Sequence, residues 1–527
     1  MPTLHWIGKD KVVNHHQEVP FRVLERKYSF DEKGQHTQDN HSENMIIQGD
    51  NLEALKALMP VYEGKIKCIY IDPPYNTGNE KWIYNDSVND PRILKWLGQV
   101  VGTEGDDLTR HDKWLCMMYP RLRLLQRLLS DDGFIFVSID VFEFARLKLI
   151  LDEIFGATNF RNCISVRRGI KNVQAQFENV QALSLGHEYI FLYSKNPLAK
   201  LPKLSKRFDI EKNGKWDTFW RGTDRPTMRY ELFGNRPQSG QWRWEEGRAS
   251  IAVRNYQVYE EMHSDTFALD DYYVEHLLAT NEKLDFVRQN ESGTIQYYVP
   301  PQSSKLLSDN WMDILLSGSQ TDFETEKSVL LLNRIVGWIA DDGEVVLDSF
   351  AGSGTTAHAV LNLNKQDGGK RKFILIEMMD YADSITAERV KRVIRGYGEG
   401  NKDLEGTGGS FSYYDLGEPL LNADDTLNEN VDIEKIRAYV WHTETRIPYR
   451  APESSAHQHW LGRNMGTDYY FNYEKDRTTT LSLEYLGTIR ETAEHYVIYA
   501  DINALSEEEL LRHSISFKKI PRDIARI

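Results

Sequence analysis

Two stretches of this chain alternate short apolar runs with amphipathic ones, and that alternation constrains the fold more than any other feature. NMIIQGD (44–50) reads as a short strand. NLEALKALMP reads as a helix, with Leu52, Leu55 and Leu58 at helical spacing. KIKCIYIDPPY is a buried strand broken at Pro73-Pro74. Over 112–130 a longer amphipathic helix is predicted, with Trp114, Leu115, Met118, Leu122, Leu125 and Leu129 on one stripe. GFIFVSID is then a strand, 141–155 a helix and EYIFLYSKN (188–196) a strand. The pattern resumes near 328 with a helix (SVLLLNRIVGWIA), strand EVVLDSF, a glycine-rich turn, a helix over 357–363 and strand KFILIEM. Strands that alternate with helices predict an α/β fold, a doubly wound, mostly parallel sheet covered on both faces.

A length of 527 residues predicts two or three domains. The pattern divides the chain into an N-terminal extension (1–43), a first sheet half (44–199), an irregular insertion rich in Trp, Tyr, Arg and Gly (200–305) and a second sheet half (306–418). The remainder (419–527) reads as an acidic linker, NADDTLNENVDIE, and a mixed α+β module. Removal of 430–527 is expected to weaken complex formation more than ligand binding. No apolar run reaches the roughly 20 residues that span a bilayer, and the N-terminus is polar, so a cytoplasmic protein without membrane attachment is expected. Cys68, Cys116 and Cys163 lie far apart without metal-ligand spacing, so no metal is expected. The net charge of −15 weighs against nucleic acid globally, but contact with DNA needs only a local basic face.

The first chemical motif is Asp72-Pro73-Pro74-Tyr75, at the carboxyl end of a strand, where open α/β sheets bind ligands. A proline turn with an incidental acid is the bland reading. A chemical reading gives every residue a task. An amino group on an aromatic base is a poor nucleophile because its lone pair is delocalised. The Asp72 carboxylate and the Pro73 carbonyl can hold its two hydrogens, the prolines stiffen the acceptors, and Tyr75 offers a ring face for stacking.

The second motif is Asp348-Ser349-Phe350-Ala351-Gly352-Ser353-Gly354-Thr355-Thr356, between a strand and a helix. Its glycines allow close backbone approach to a ligand at a helix N-terminus. No Lys-Ser or Lys-Thr follows, which argues against a nucleotide-phosphate loop. The run also fits a dinucleotide fingerprint, with Glu377 placed to bind ribose hydroxyls, so the turn alone does not separate NAD from S-adenosylmethionine.

Taken together, IYIDPPYNTG, LDSFAGSGTT, QGDNLEALKAL and FAGSGTTAHAVLNLN resemble the β-class DNA amino-methyltransferases, above all modification subunits of type III restriction–modification systems. The resemblance covers 44–195 and 320–415. It implies a permuted methyltransferase sheet with a target-recognition insertion, S-adenosylmethionine as cofactor, and transfer to adenine N6 of base-flipped double-stranded DNA. Cytosine N4 is the nearest variant, and a DNA-recognition subunit of a larger complex is an alternative. It further implies cofactor contacts from Asp348, Phe350, Ala351, Gly352, Ser353, Gly354 and Thr355, a ribose contact from Glu377, and a place for Asp50 near the cofactor or the target base. Asp50 also reads as a helix N-cap. A homodimer and a separate restriction or translocase subunit are implied as partners. One departure stands out: the family often shows Phe-Glu-Thr-Pro-Lys-Pro where this chain has Phe323-Glu324-Thr325-Glu326-Lys327-Ser328. Thr325 and Lys327 are kept as cofactor candidates.

Residues 201–260 hold 12 Lys or Arg against 8 Asp or Glu, with aromatics between the arginines. Arg221, Arg225, Arg229, Trp242, Arg243 and Trp244 are the expected DNA contacts, since arginine suits guanine and phosphate and aromatics stack. Arg167 and Arg168, with Arg161 and Lys171, form a second basic stretch, expected near the flipped base. A small domain whose arginines pair with its own acids is the alternative.

Overall fold

The computed structural model describes residues 3–76, 107–169, 183–280, 282–316, 326–397, 404–422, 424, 426–447, 449–452 and 457–524. They fall into two compact units, one formed by Met1–Pro202 with Asp309–Ile527, the other by Lys203–Ser308.

The larger unit is built on an eleven-stranded sheet. In chain order its strands are β1 (Arg22–Asp31), β2 (Gly34–His36), β3 (Met45–Gln48), β4 (Ile66–Ile71), β5 (Leu129–Ile139), β6 (Phe160–Arg167), β7 (His187–Ser194), β8 (Asn310–Leu315), β9 (Val345–Asp348), β10 (Lys372–Glu377) and β11 (Ser410–Pro419). They lie side by side as β8-β6-β7-β5-β4-β9-β10-β3-β11-β1-β2. The centre, from β5 through β11, is parallel, as the apolar runs predict. Strands such as IKCIYI and KFILIE read as continuous apolar runs because helices cover both faces. The helix Asp107–Leu128 buries five of the six predicted stripe residues, Trp114, Leu115, Met118, Leu122 and Leu125 each being at most 2% exposed, while Leu129 opens β5 instead.

Three expectations are corrected. β7 runs antiparallel to both β5 and β6, since an apolar run carries no information about strand direction. The N-terminal stretch is part of the sheet rather than an extension to it: β1 pairs with β11 over the register Arg22↔Pro419 to Asp31↔Ser410. The acidic stretch 422–434 is no free linker, because Leu420, Leu427 and Val431 are buried in the main core while Asp424, Glu429, Asp432 and Glu434 are exposed. Beyond it, the helix Ile433–Thr445 sends Ile436, Tyr439, Val440 and Trp441 into that same core, joined by Phe471, Tyr499, Ile520 and Ile524. The C-terminal region thus contributes to the core of the larger unit. His442 seals the joint, 2.8 Å from Glu63, whose carboxyl is held down at about 2 by hydrogen bonds from His442 and Arg127 that outweigh its burial.

The smaller unit carries a three-stranded sheet (Val287–Gln289, Ile295–Val299, Lys215–Thr218), two two-stranded pairs, and the helices Glu246–Met262 and Leu269–Thr280. One core gathers Phe219, Tyr230, Trp242, Ala249, Val287 and Ile295; another stacks Tyr259, Tyr273, Phe286 and Tyr298.

Candidate active site

β4 and β9 lie side by side in parallel, with Ile69 opposite Leu347. From β4 the chain proceeds toward β5 on one side; from β9 it proceeds toward β10 on the other. This reversal is a topological switch point, where connections diverge and leave a crevice beyond the carboxyl ends of the strands. Asp72 follows β4 directly and Asp348 ends β9, so the topology brings both sequence motifs to one crevice.

The Asp72 loop is held from several directions. Trp114, fully buried, donates its Nε1–H to the Pro74 carbonyl at 2.7 Å. Asn76 sits at a φ of 55°, fixed there by its amide, which donates to the buried Glu143 at 2.5 Å, with His111 on the same oxygen. The Tyr75 hydroxyl donates to Asp72 Oδ1 at 2.7 Å. Lys327 then closes the group: its Nζ donates to Tyr75 Oη at 2.8 Å and lies 3.0 Å from Asp72 Oδ1, 4.9 Å from the Tyr75 ring centroid and 3.6 Å from Glu188. Glu188 in turn pairs with Arg168 at 3.4 Å. Burial first, then the Asp72 and Glu188 carboxylates, hold the Tyr75 hydroxyl well above its ordinary range, so it stays a neutral donor.

The glycine-rich turn is organised by carboxylates behind it. Asp348, 3% exposed, accepts from the Phe350 N–H at 3.0 Å and from the Thr356 hydroxyl at 2.6 Å. Burial pushes its carboxyl up to about 7 against those two hydrogen bonds. Glu377 accepts from the Gly352 N–H at 2.9 Å and the Met379 N–H at 3.0 Å, and burial raises its carboxyl too. Gly354 has a φ of 80°, and a Cβ there would stand 3.1 Å from the Thr386 carbonyl, so both its conformation and its packing require glycine. Arg389 donates to Ser353 Oγ at 2.8 Å and Thr355 Oγ1 at 2.9 Å, and pairs with Glu326 at 2.8 Å.

These contacts sort the cofactor candidates. Phe350, Ala351, Gly352 and Glu377 line the turn beside the switch point. The oxygens of Asp348 and the hydroxyls of Ser353 and Thr355 also hold the turn through these hydrogen bonds. Asp50 caps the helix Asn51–Tyr62, accepting from Leu52 N–H at 2.8 Å and Glu53 N–H at 3.2 Å, and pairs with the buried Arg121 at 3.1 Å. The N-cap reading therefore holds. The Lys327 ammonium stands in the Asp72–Tyr75 group, while its carbonyl accepts from Thr355 of the turn. Thr325 and Lys171 fall outside the described residues. Sequence reasoning missed Glu188, Glu326 and Arg389, single charges whose partners come from distant segments. Only Glu326 left a signal, as the departure from a proline position. Among the described residues no group of three or more His, Cys, Asp or Glu could hold a metal ion, and no helix is long and apolar enough to cross a membrane.

The family model for DNA methylases matches residues 66–388, which spans both motifs and everything between them. The chain belongs to the DNA methylase family. It is 33% identical over 74% of its length to the type III restriction–modification enzyme StyLTI Mod subunit of Salmonella typhimurium, covering 63% of that protein. It is 27% identical over 75% of its length to the EcoP15I Mod subunit of Escherichia coli, covering 66% of it. It is also 30% identical over 64% of its length to the type II methyltransferase M.KpnI of Klebsiella pneumoniae, covering 81% of it. This DNA methylase thus spans just under two thirds of the type III subunits it matches.

Within the smaller unit of this DNA methylase the expected DNA contacts divide. Arg221 and Arg225 are exposed. Trp220, 44% exposed, is presented beside Arg221 by a backbone crossing at Gly240, whose φ is 69° and where a Cβ would collide with the Arg221 carbonyl. Trp242 is corrected to a core residue: it is 6% exposed and donates its Nε1–H to the Tyr230 carbonyl at 2.8 Å. Arg229 holds the Gly240 carbonyl at 2.8 Å and pairs with Asp224, which makes it a strut. Arg243 lies on the Tyr297 ring at 4.3 Å, and Trp244 packs on Phe219 and Tyr297. The basic bias of 201–260 does not extend over the unit, since residues 203–308 carry 15 Lys or Arg and 16 Asp or Glu. In the larger unit Arg167 is exposed, whereas Arg168 is drawn to Glu188.

Proposed function

We propose that the chain transfers a methyl group from S-adenosylmethionine to adenine N6 in double-stranded DNA, as the modification subunit of a type III-like restriction–modification system. The observation that carries this reading is the convergence of Asp72–Tyr75 and the glycine-rich turn at one switch point. The donor set fits the cofactor. The Glu377 carboxylate can still accept ribose hydroxyls through its remaining lone pairs, and Phe350, Gly352 and Gly354 would line the methionine end. When bound, the cofactor supplies an electrophilic methyl group on a sulfonium.

The chain's own residues do the rest by positioning and electrostatics. A base turned out of the helix stacks on Tyr75. Its amino hydrogens are accepted by the Pro73 carbonyl and by Asp72 Oδ2, since Tyr75 and Lys327 both engage Oδ1. Asp72 or water then accepts the proton that the amino nitrogen loses. Lys327 aligns Asp72 through its ammonium, 3.0 Å from Oδ1. An acid at the head of the motif favours adenine over cytosine. Arg221, Arg225 and Arg167 are the exposed cations assigned to DNA. A separate restriction subunit would supply ATP-driven movement, since this sequence contains no GK[ST] loop, and a homodimer is the assembly that the type III resemblance supports.

The test is methyl transfer from labelled S-adenosylmethionine to unmethylated DNA, with Asp72→Ala beside the parent, followed by nucleoside mass spectrometry. N6-methyladenine from the parent alone is expected. N4-methylcytosine would overturn the choice of base, and no transfer despite cofactor binding would point to a recognition subunit that needs a partner.

A further inference from the structure

We infer that the buried Glu326–Arg389 pair is a positioning device that couples the glycine-rich turn to the Asp72 motif through Lys327. Its functional meaning rests on the methyl-transfer reading above.

Both side chains are almost wholly buried, 1% and 4% exposed, with the guanidinium 2.8 Å from Glu326 Oε1. Arg389 spends its other hydrogens on the turn and the helix that follows it: Ser353 and Thr355 through Nη1, and His358 Nδ1 through Nε and Nη2 at 3.4 Å. The fork thus fixes two side chains of the turn and the first helical turn after it. Glu326 is joined by a single peptide bond to Lys327. The Lys327 ammonium faces Asp72 and Tyr75, and its carbonyl accepts the Thr355 hydroxyl at 3.4 Å. A continuous line of contacts therefore runs from Asp72 through Lys327 and Glu326 to Arg389 and the turn.

Burying two charges is costly, and a hydrophobic pair of similar volume would stabilise the fold at least as well. What a buried ion pair adds is a defined geometry for everything attached to it. Glu326 and Arg389 touch no reacting atom in this scheme; they act through Lys327, Ser353 and Thr355.

The test compares the full-length parent with Glu326→Gln, with Arg389→Lys, and with a double variant, Glu326→Gln with Arg389→Met, that leaves no charge unpaired. Glu153→Gln, which breaks the Lys9–Glu153 pair (2.7 Å) in a different part of the unit, is the control. Amide hydrogen exchange of peptides covering 326–331, 350–356 and 71–76 is measured without ligand, together with S-adenosylmethionine affinity and the KM and kcat of transfer. Faster exchange in all three peptides is expected for Glu326→Gln, Arg389→Lys and the double variant, but not for Glu153→Gln. The Kd and KM for S-adenosylmethionine should rise on the order of tenfold, with a smaller fall in kcat. A folded single or double variant with parental exchange in 350–356 and 71–76 overturns the coupling. If exchange responds as expected while the parent binds no S-adenosylmethionine, the coupling stands and the methyl-donor reading falls.

Discussion

The ammonium of Lys327 lies 3.0 Å from the carboxylate of Asp72, although 255 positions separate the two in the chain. The cation sits against the very acid that opens the Asp-Pro-Pro-Tyr motif, with Glu188 behind it at 3.6 Å. Lys327→Met should therefore lower kcat by roughly 100-fold, the scale of losing one preorganised electrostatic partner. Lys327→Arg should recover part of it, because charge is kept while the compact donor geometry is lost. Steady-state kinetics at saturating S-adenosylmethionine would show this, and equal rates for parent and Lys327→Met would remove the residue from the mechanism.

The contribution of Asp348 to stability should shrink as pH rises from about 4 to about 7. Its carboxyl is pushed from 3.8 up to about 7, chiefly by burial. The folded protein therefore keeps a proton there that the unfolded chain releases. The resulting stabilisation is full below about pH 4 and disappears as pH rises through about 7, a change on the order of a few kcal/mol. In Asp348→Asn this contribution to the pH dependence of the melting temperature between about 4 and about 7 should be absent. An unchanged slope would mean the carboxyl titrates normally.

An acid limb should come from His16, His358 and His459, each pushed down to about 4 by burial first and neighbouring positive charge second. Their contribution is present above the ordinary histidine value of 6.5 and is lost as pH falls through about 4. Chemical denaturation at pH 7, 5.5 and 4.5 checks this: stability should drop at each step, and His358→Asn, which restores an uncharged acceptor for Arg389, should flatten part of the decline.

In the smaller unit, neighbouring residues should separate cleanly. Trp242→Ala should cost roughly 3–5 kcal/mol of stability, since a buried indole and its hydrogen bond both go. Arg221→Ala and Arg225→Ala should leave the melting temperature alone. Each should weaken DNA binding and reduce the slope of log affinity against log salt by about 1. A fluorescence-anisotropy titration at several salt concentrations distinguishes the two groups, and a salt slope unchanged in both arginine variants would remove them from the interface.

A chain ending at residue 429 should not reach a native state. The missing part supplies Ile436, Tyr439, Val440, Trp441, Phe471 and Tyr499 to the central core. Lost near-ultraviolet dichroism together with dye binding is expected. A truncated protein that still melts cooperatively would show the C-terminal region to be an independent module after all.

Much of the central sheet could be read from sequence because each inner strand is a run buried on both faces. Both motifs were legible for the same reason: they interrupt such runs at the carboxyl ends. What escaped was everything that depends on partners far away in the chain. β1 reads as ERKYSFD, a mixed pattern, and becomes a strand because β11 lies beside it. The stretch after β11 looks like a linker because its acids outnumber its leucines, yet Leu420 and Leu427 are enough to fix it to the core. Arg229 and Trp242 resemble surface readers by composition; the folded unit uses one as a strut and the other as filling. Glu188 and Arg389 carry no local signature, and Glu326 only the loss of a proline, since a buried charge is tolerable only once its counter-charge has arrived.

The smaller unit begins and ends at one seam. The Leu307 N–H donates to the Leu204 carbonyl at 2.9 Å, so the two strands that enter and leave it are stitched together at the neck. A segment closed this way behaves as a cassette in the genetic sense. Recombination that exchanged residues 203–308 for a foreign segment with the same neck would break no strand pairing in the eleven-stranded sheet and move no residue of the switch point. On the proposed reading, in which this unit meets the DNA site, inheritance of what the protein reads would thereby be uncoupled from inheritance of what it does.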